Sequence, residues 1–359
     1  MRVLALPAFK NRRENPYNAS LYAALGEIPG VTVEEFTNRR VLLERWDVVH
    51  IHWPDTPLHR RSAGGAALYT LLLLARLAWA RLRGARIVWT VHNLRSHTGA
   101  WPGVERWLWR GFLPLVDASI HLSRSGMEMA LAAFRRLAAK PRSVVPHGHY
   151  RECYANDTDG AASRQELGIE PGVPVIAFAG QIKAYKNVSG LIRAFLDAAD
   201  PEAILLIAGR PGDAAIEAQL RVEAGEHPRI RFHFGLIPDD RMQLYFNACD
   251  LAVFPYRDIL NSGSAILALS FDRPVLVPGR GAMAELREVA GADWVETYEG
   301  GLTGPILAAA LRRARDCARP AGCDLAALSW QSVAAGTHAA YCDATGRGTA
   351  SAYPKAVLA

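Results

Sequence analysis

Cysteine is scarce in this chain of 359 residues. The five present (Cys153, Cys249, Cys317, Cys323 and Cys342) are scattered, odd in number and never in Cys-x-x-Cys spacing. That argues against a disulfide framework or a structural zinc site, and it fits a reducing cytoplasm. His-Glu-x-x-His is absent, as are short-period repeats and low-complexity segments. Helix-turn-helix, zinc-finger and RNP patterns are also missing, so nucleic acid is not an expected partner. The first residues form a short apolar strand pattern, Arg2 to Leu6, too short for a signal peptide. The most apolar segment, residues 65–82, is interrupted by Arg76, so its uncharged run falls short of a membrane span.

Charge is present but uneven. Residues 1–150 carry 21 Lys and Arg against 10 Asp and Glu, whereas residues 151–359 carry 20 against 25. A basic first half points to an anionic partner, and the dispersed spacing favours a membrane surface or an acidic lipid-linked substrate. The 65–82 helix reads either as a buried core helix or as one lying at the interface. In the second case Arg60, Arg61, Arg81, Arg83 and Arg86 would meet headgroups.

Strand and helix patterns alternate along the chain. Strands are expected at 3–6, 48–51, 87–91, 118–121 and 143–145, with helices at about 18–26, 65–82, 102–112 and 124–138. After a polar, Gly-containing stretch at 155–163 the pattern restarts. Strands then fall at 175–179, 203–208, 230–234, 251–254 and 274–277, and helices at about 187–198, 213–225, 239–247 and 304–318. Such alternation predicts α/β architecture, with two Rossmann-like domains facing a central cleft. The expected division is 1–155, 165–325, and a helix at 326–345 that crosses back to the first domain.

Ligands in such sheets bind beyond the carboxyl ends of the strands. The polar residues gather there. Asn15-Pro16-Tyr17 follows strand one, and His50-Ile-His52-Trp53-Pro-Asp55 follows strand two. Thr90-Val-His92-Asn-Leu follows strand three with His97 behind it, and His147-Gly-His149 ends the first half. Strand alternation puts His50 and His52 on one face. Zinc is one use for six such histidines; hydrogen bonds to a sugar or phosphate explain the dispersed spacing better.

The second half offers an anion site. Asn261-Ser262-Gly263-Ser264 sits where a helix begins, with unpaired backbone N–H groups and the positive dipole end. A simple capped helix is the plainer reading of the turn alone. Gly180 at a strand end, followed by Lys183 and Lys186, is chemistry for a diphosphate, with surface lysines as the plainer alternative. The strand-end loops containing Arg210 and Leu236 suit a nucleobase.

With these residues in view the chain resembles the GT-B glycosyltransferases of the group-1 type. Gly180-Gln181 and Lys186-Asn187 stand where those proteins carry their Gly-Arg and Lys-Gly pairs, and Asp272-Arg-Pro-Val275 matches their Gly-x-Pro-Val turn. Leu267 stands where they carry a second glutamate. A fuller resemblance is to the xanthan-type β-1,4-mannosyltransferases. It runs through Asn15-Pro-Tyr17, His50-Ile-His-Trp-Pro-Asp55, Thr90-Val-His-Asn-Leu94, Pro146-His-Gly-His-Tyr150, Tyr185-Lys186, and the segment from Pro255 to Pro278. Thr98, Asn187 and Asp55 depart from that pattern, where the relatives carry Glu, Gly and Glu.

The resemblance implies an inverting mannosyltransferase of exopolysaccharide synthesis. It would move mannose from GDP-mannose to a polyprenyl-diphosphate-linked oligosaccharide, as a cytoplasmic, peripheral membrane enzyme. An inverting transfer needs one general base, for which Asp55 is the first choice and His52 or His97 the alternatives. Gly180, Lys183, Lys186, Arg210, Tyr256, Asn261, Ser262, Gly263, Ser264, Glu285 and His92 are the donor-binding set. Asn15, Tyr17, Trp53, Arg60, Arg95, His147 and His149 are the acceptor set, with Arg60 or Arg95 pairing with an acidic sugar. Lysines and a helix N-terminus would neutralise the leaving diphosphate, so neither metal nor cofactor is expected. A retaining transferase, an epimerase and a non-catalytic membrane scaffold are the competing readings.

Overall fold

The computed structural model describes residues 1–96, 99–198, 200–257, 260–261 and 263–347. The chain divides into two compact units, one of residues 1–148 with 326 onward, the other of residues 149–325.

The first unit runs β1 (Arg2–Leu6), α1 (Tyr17–Gly26), β2 (Thr32–Glu35), α2 (Asn38–Leu43), β3 (Val48–Ile51), α3 (Ala63–Leu82), β4 (Arg86–Val91), α4 (Pro102–Leu115), β5 (Ala118–His121), α5 (Arg124–Ala133) and β6 (Arg142–Val144). Its six strands are parallel in the order β2-β1-β3-β4-β5-β6. The order reverses between β1 and β3, so the loops after these two strands flank the switch point. β3 and β5 are buried at every position, as sheet strands covered on both faces require.

The second unit runs α6 (Gly160–Glu166), β7 (Val175–Ala179), α7 (Val188–Ala198), β8 (Ile204–Gly209), α8 (Ala214–Ala224), β9 (Ile230–Phe234), α9 (Met242–Ala248), β10 (Leu251–Val253), α10 (Gly263–Ser270), β11 (Val275–Pro278), α11 (Ala282–Ala290), β12 (Val295–Tyr298) and α12 (Gly304–Asp316). Its parallel sheet has the order β12-β11-β10-β7-β8-β9, the Rossmann order, with its switch point between β7 and β10.

A last helix, α13 (Trp330–Thr345), packs on α1 and on β4, β5 and β6 of the first unit. It places Trp330, Val333, Ala334, Ala340 and Tyr341 in that unit's core, beside Tyr17, Leu21, Tyr22 and Leu25. Each fully buried large side chain of this kind stabilises by roughly 1.5–3 kcal/mol.

Several elements differ from the sequence reading. The polar stretch at 155–163 ends in a helix, because Asp159 accepts from the Ala162 N–H at 2.8 Å and caps α6, which packs on α9. The helix expected at 124–138 breaks at Phe134, and a short 3-10 turn covers Arg135–Ala139. β2 and β12 are edge strands with polar positions, so they lack the apolar run by which the inner strands announce themselves.

The apolar helix α3 is neither wholly core nor free of it. Its buried positions Ala66, Thr70, Leu73, Leu77 and Ala80 form one stripe against the rest of the unit. Leu68, Tyr69, Leu71, Leu72, Trp79 and Leu82 are exposed. By length and composition α3 is long and apolar enough to cross a membrane, against the sequence expectation; Arg76 alone does not offset its leucines.

Candidate functional site

At the switch point of the second sheet, β7 is followed by Gly180, whose φ of +135° is a glycine conformation. A Cβ there would lie 3.2 Å from the Ser264 Oγ and 3.6 Å from the Lys186 Nζ. Gly209 backs it at φ +134°, where a Cβ would fall 1.9 Å from the Gly180 carbonyl oxygen. Two small residues thus clear the floor beneath Lys186. The lysine closes a 3-10 turn, and Asn187 follows in the left-handed region at φ 53°. Asn187 Nδ2 donates to the Pro255 carbonyl at 3.1 Å, and Arg257 N donates to the Tyr185 carbonyl at 2.8 Å, so the β7 and β10 loops are tied together.

Lys186 is 7% exposed. Its Nζ donates to the Ser264 Oγ at 3.2 Å and stands 5.4 Å from the Tyr256 ring centroid. Burial pushes its pKa down, and no ion pair to it is present among the described residues. Ser264 lies in the first turn of α10, which opens at Gly263. A buried ammonium facing a hydroxyl, the Tyr256 ring and the first turn of a helix has the chemistry to take an anion.

Of the remaining donor candidates, Tyr256 is buried, while Lys183, Asn261 and Glu285 are half-buried and Arg210 is exposed. Glu285 sits in the first turn of α11. Ser262 lies outside the described residues. Leu267, at the place of the relatives' glutamate, is buried in α10. Arg210 opens onto a hollow of about 420 Å³ lined also by Asp213, Glu217, Arg221 and Phe234. Sequence reasoning missed Arg221: its guanidinium holds Glu217 Oε1 at 2.9 and 3.1 Å and lies 4.9 Å from the Phe234 centroid.

In the first unit the strand-end histidines are brought together. His50 and His52 lie on one face of β3 with ring centroids 4.4 Å apart. Tyr22 OH is 2.6 Å from His52 Nε2 and 2.9 Å from His50 Nδ1. His52 Nδ1 is 2.9 Å from His92 Nε2, and Trp53 stacks on the His92 ring at 4.6 Å. Burial lowers the pKa of His50 to about 3 and that of His147 to about 4. The same burial, then the neighbouring imidazoles, lowers those of His52 and His92. Each ring is therefore neutral at ordinary pH.

Asp55 is 2% exposed. Its Oδ2 accepts from Asn93 Nδ2 at 3.1 Å and stands 3.9 Å from His59 Nε2. Asn93 Nδ2 also donates to the Arg95 carbonyl at 3.0 Å, which fixes the loop after β4 against the loop after β3.

Three further candidates of the first unit are buried. His52 is fully buried with both ring nitrogens at hydrogen-bonding distance of Tyr22 and His92. Tyr17 is buried among His52, His92, His147 and Trp330. His147, buried too, holds the Gly148 carbonyl at 2.8 Å through Nδ1. Asn15 accepts from the Tyr17 N–H at 3.0 Å, and Arg60 lies 3.8 Å over Tyr69. Arg95 is exposed, His149 belongs to the second unit, and His97 lies outside the described residues.

Among the described residues, no group of three His, Cys, Asp or Glu side chains could hold a metal ion. Asp157-Thr158-Asp159 has Asp-x-Asp spacing, which sequence reasoning passed over. Asp159 caps α6, and Asp157 accepts from Gln243 Nε2 at 2.9 Å.

Residues 173–301 match the family described as Glycosyl transferases group 1. The chain is 29% identical over 337 residues to a GDP-mannose:glycolipid 4-beta-D-mannosyltransferase of Xanthomonas campestris pv. campestris, covering 94% of this chain and 90% of that one. It is 31% identical over 180 residues to a D-inositol 3-phosphate glycosyltransferase of Nocardia farcinica, covering 45% and 39%. Among solved structures, sucrose-phosphate synthase from Thermosynechococcus elongatus matches with TM-score 0.62 at 15% identity, covering 96% and 93%. Anabaena HepE in complex with UDP and glucose matches with TM-score 0.60 at 15% identity, covering 96% and 95%. Two Rossmann-like units, the match of residues 173–301 to the group 1 glycosyl transferases and these relatives lead to one conclusion: the protein is a glycosyltransferase of the GT-B class.

Proposed function

We propose that the enzyme transfers mannose from GDP-mannose, with inversion, to a polyprenyl-diphosphate-linked oligosaccharide in exopolysaccharide synthesis. The observation that carries this reading is Lys186, a buried ammonium beside Ser264 at the start of α10, where a diphosphate would complete its charge balance. The choice of GDP-mannose rests on the printed activity of the Xanthomonas relative, similar over nearly the whole chain.

The second unit is the donor-binding domain in this reading. Lys186, Lys183 and the α10 N-terminus stabilise the departing GDP, and Gly180 allows its close approach. Tyr256, Asn261, Ser262, Gly263 and Ser264 complete the diphosphate site, Arg210 borders the base, and Glu285 contacts the sugar or ribose. The first unit binds the acceptor, with Asn15, Trp53, Arg60 and Arg95 as its contacts. An α-linked donor and a β product require a base that takes the acceptor proton while GDP leaves from the opposite face. Asp55 fills that role, held by Asn93. His97 is the alternative. No metal takes part in this scheme.

The exposed apolar face of α3, flanked by Arg60, Arg61, Arg81 and Arg83, supports a peripheral position on an anionic membrane surface, where a lipid-linked acceptor is found. The placement on the cytoplasmic face follows from the nucleotide-sugar donor.

The test is transfer from GDP-mannose, UDP-glucose and ADP-glucose to a polyprenyl-diphosphate glycan ending in an acidic sugar, with the product anomer read by NMR. Only GDP-mannose should yield product, and that product should be β. An α product would make the enzyme retaining and remove Asp55 as base; vesicle binding with no transfer from any donor would favour the scaffold.

A further inference from the structure

The loop after β1 is held in place by a carboxylate of the same unit. Glu35, at the end of β2, accepts through one oxygen from three successive backbone N–H groups: Ala8 at 3.2 Å, Phe9 at 2.8 Å and Lys10 at 3.1 Å. Successive N–H groups aimed at one point form an anion nest, and here the chain's own carboxylate fills it. The loop then turns on itself. Arg12 N donates to the Phe9 carbonyl at 3.1 Å, and the Asn11 carbonyl accepts from Glu14 N and Asn15 N, both at 2.9 Å.

This backbone presents three exposed cations within four residues: Lys10, Arg12 and Arg13. Their side chains have no hydrogen bond or ion pair among the described residues, whereas Arg2 and Arg40 of the same unit pair with Glu44 and Glu34 at 2.7 Å. Glu14 is the one carboxylate in the loop. Cations on a disordered loop would lose backbone entropy on gripping a ligand. Here that cost is met when the chain folds.

The loop lies at the carboxyl end of β1, at the switch point between β1 and β3 where a doubly wound sheet receives its ligand. Phe9, 43% exposed, stands next to the cations, with its ring edge-on to Tyr22 at 6.4 Å. Guanidinium groups pair two N–H bonds with phosphate oxygens, and an ammonium adds a point charge. An exposed aromatic ring beside them suits an apolar chain attached to the phosphate.

We infer that this loop is a subsite for a prenyl diphosphate, with Lys10, Arg12 and Arg13 on the phosphate oxygens and Phe9 against the first prenyl units. Glu35 is the positioning residue that holds the loop. The inference rests on the lipid-linked acceptor proposed above and adds the place where its charged linkage is gripped.

The test is calorimetric titration of the full-length protein with farnesyl diphosphate, with GDP at saturation to occupy the nucleotide site. The wild type should bind farnesyl diphosphate and not farnesol; no binding of farnesyl diphosphate overturns the subsite. Changing Lys10, Arg12 and Arg13 together to Gln should weaken that binding at least ~10-fold, as lost charge-assisted hydrogen bonds do, and leave GDP affinity within about 2-fold. Unchanged farnesyl diphosphate affinity overturns the subsite. Sedimentation with phosphatidylglycerol vesicles separates a lipid headgroup from the diphosphate. It should change less than about 2-fold in the triple variant, and a loss confined to vesicle binding makes the loop a headgroup contact and overturns the proposal. Glu35→Ala should also weaken farnesyl diphosphate binding, although it removes negative charge near the loop. Tighter binding would mean that net charge alone attracts the ligand, and would overturn the built site. If Glu35→Ala does not fold, the triple variant, altered only at exposed positions, still decides. A protein that binds farnesyl diphosphate through these residues but transfers no mannose overturns the donor assignment alone.

Discussion

The Lys186 ammonium lies 3.2 Å from the Ser264 hydroxyl, and between them they join the two loops at the switch point of the second sheet. An uncompensated buried charge opposes folding, while an anion brought by a ligand turns the same charge into affinity. Lys186→Met keeps the apolar stem and removes the charge. Calorimetric titration should show GDP affinity lowered at least ~10-fold, with the melting temperature of the ligand-free protein unchanged or raised. Retained affinity would remove Lys186 from the diphosphate site.

Gly209→Ala places a methyl group against the Gly180 carbonyl oxygen, in a backbone region that side chains avoid. The expected loss is on the order of 3 kcal/mol in urea unfolding. A loss under about 0.5 kcal/mol would mean that the β7 and β8 loops separate easily.

Asp55→Asn keeps the size of the side chain and removes its basicity. Turnover should fall by roughly 10²–10⁴-fold with GDP binding intact. Near-normal turnover would rule Asp55 out as the base.

The buried histidines make stability depend on pH. Their folded pKa values are depressed, to about 3 for His50 and about 4 for His147, with those of His52 and His92 lowered in the same direction. Above the ordinary value of 6.5, folded and unfolded chains are both neutral at these sites, and the full stability is present. As pH falls from 6.5 towards 4 the unfolded chain binds protons that the folded one excludes, so stability is lost. Each site contributes at most about 1.4 kcal/mol per pH unit. Urea midpoints measured from pH 7.5 to pH 5 should fall steadily below pH 6.5. Flat midpoints would contradict the burial of the cluster.

The outer face of α3 gives a separable prediction. Changing Leu68, Leu71 and Leu72 to Gln should sharply reduce sedimentation with phosphatidylglycerol vesicles, since each removes apolar area from the interface. The melting temperature should hold within about 2 °C, because these side chains lie outside the core. Undiminished vesicle binding would move the membrane contact elsewhere.

The loop after β7 and the turn that opens α10 were legible in the sequence, because they are local. A strand, a glycine, two lysines and a helix follow one another at 175–190, and a polar turn opens α10. Strand periodicity also put His50 and His52 on one face. What burial does to those histidines was not legible. Tyr22 looks like any aromatic on a buried apolar helix, and Tyr341 reaches His50 across 291 positions. Local patterns carry no trace of such contacts. For the same reason the burial of Tyr17 in the first unit's core left no mark in the sequence.

The central claim is a GDP-mannose site in the second unit, and thermal shifts test it most directly. GDP, UDP, ADP and their mannose and glucose conjugates are compared at ~100 times the dissociation constant, where one-site binding adds about 2.7 kcal/mol. The account predicts clear shifts with GDP and GDP-mannose alone. Shifts confined to UDP or ADP species would contradict it.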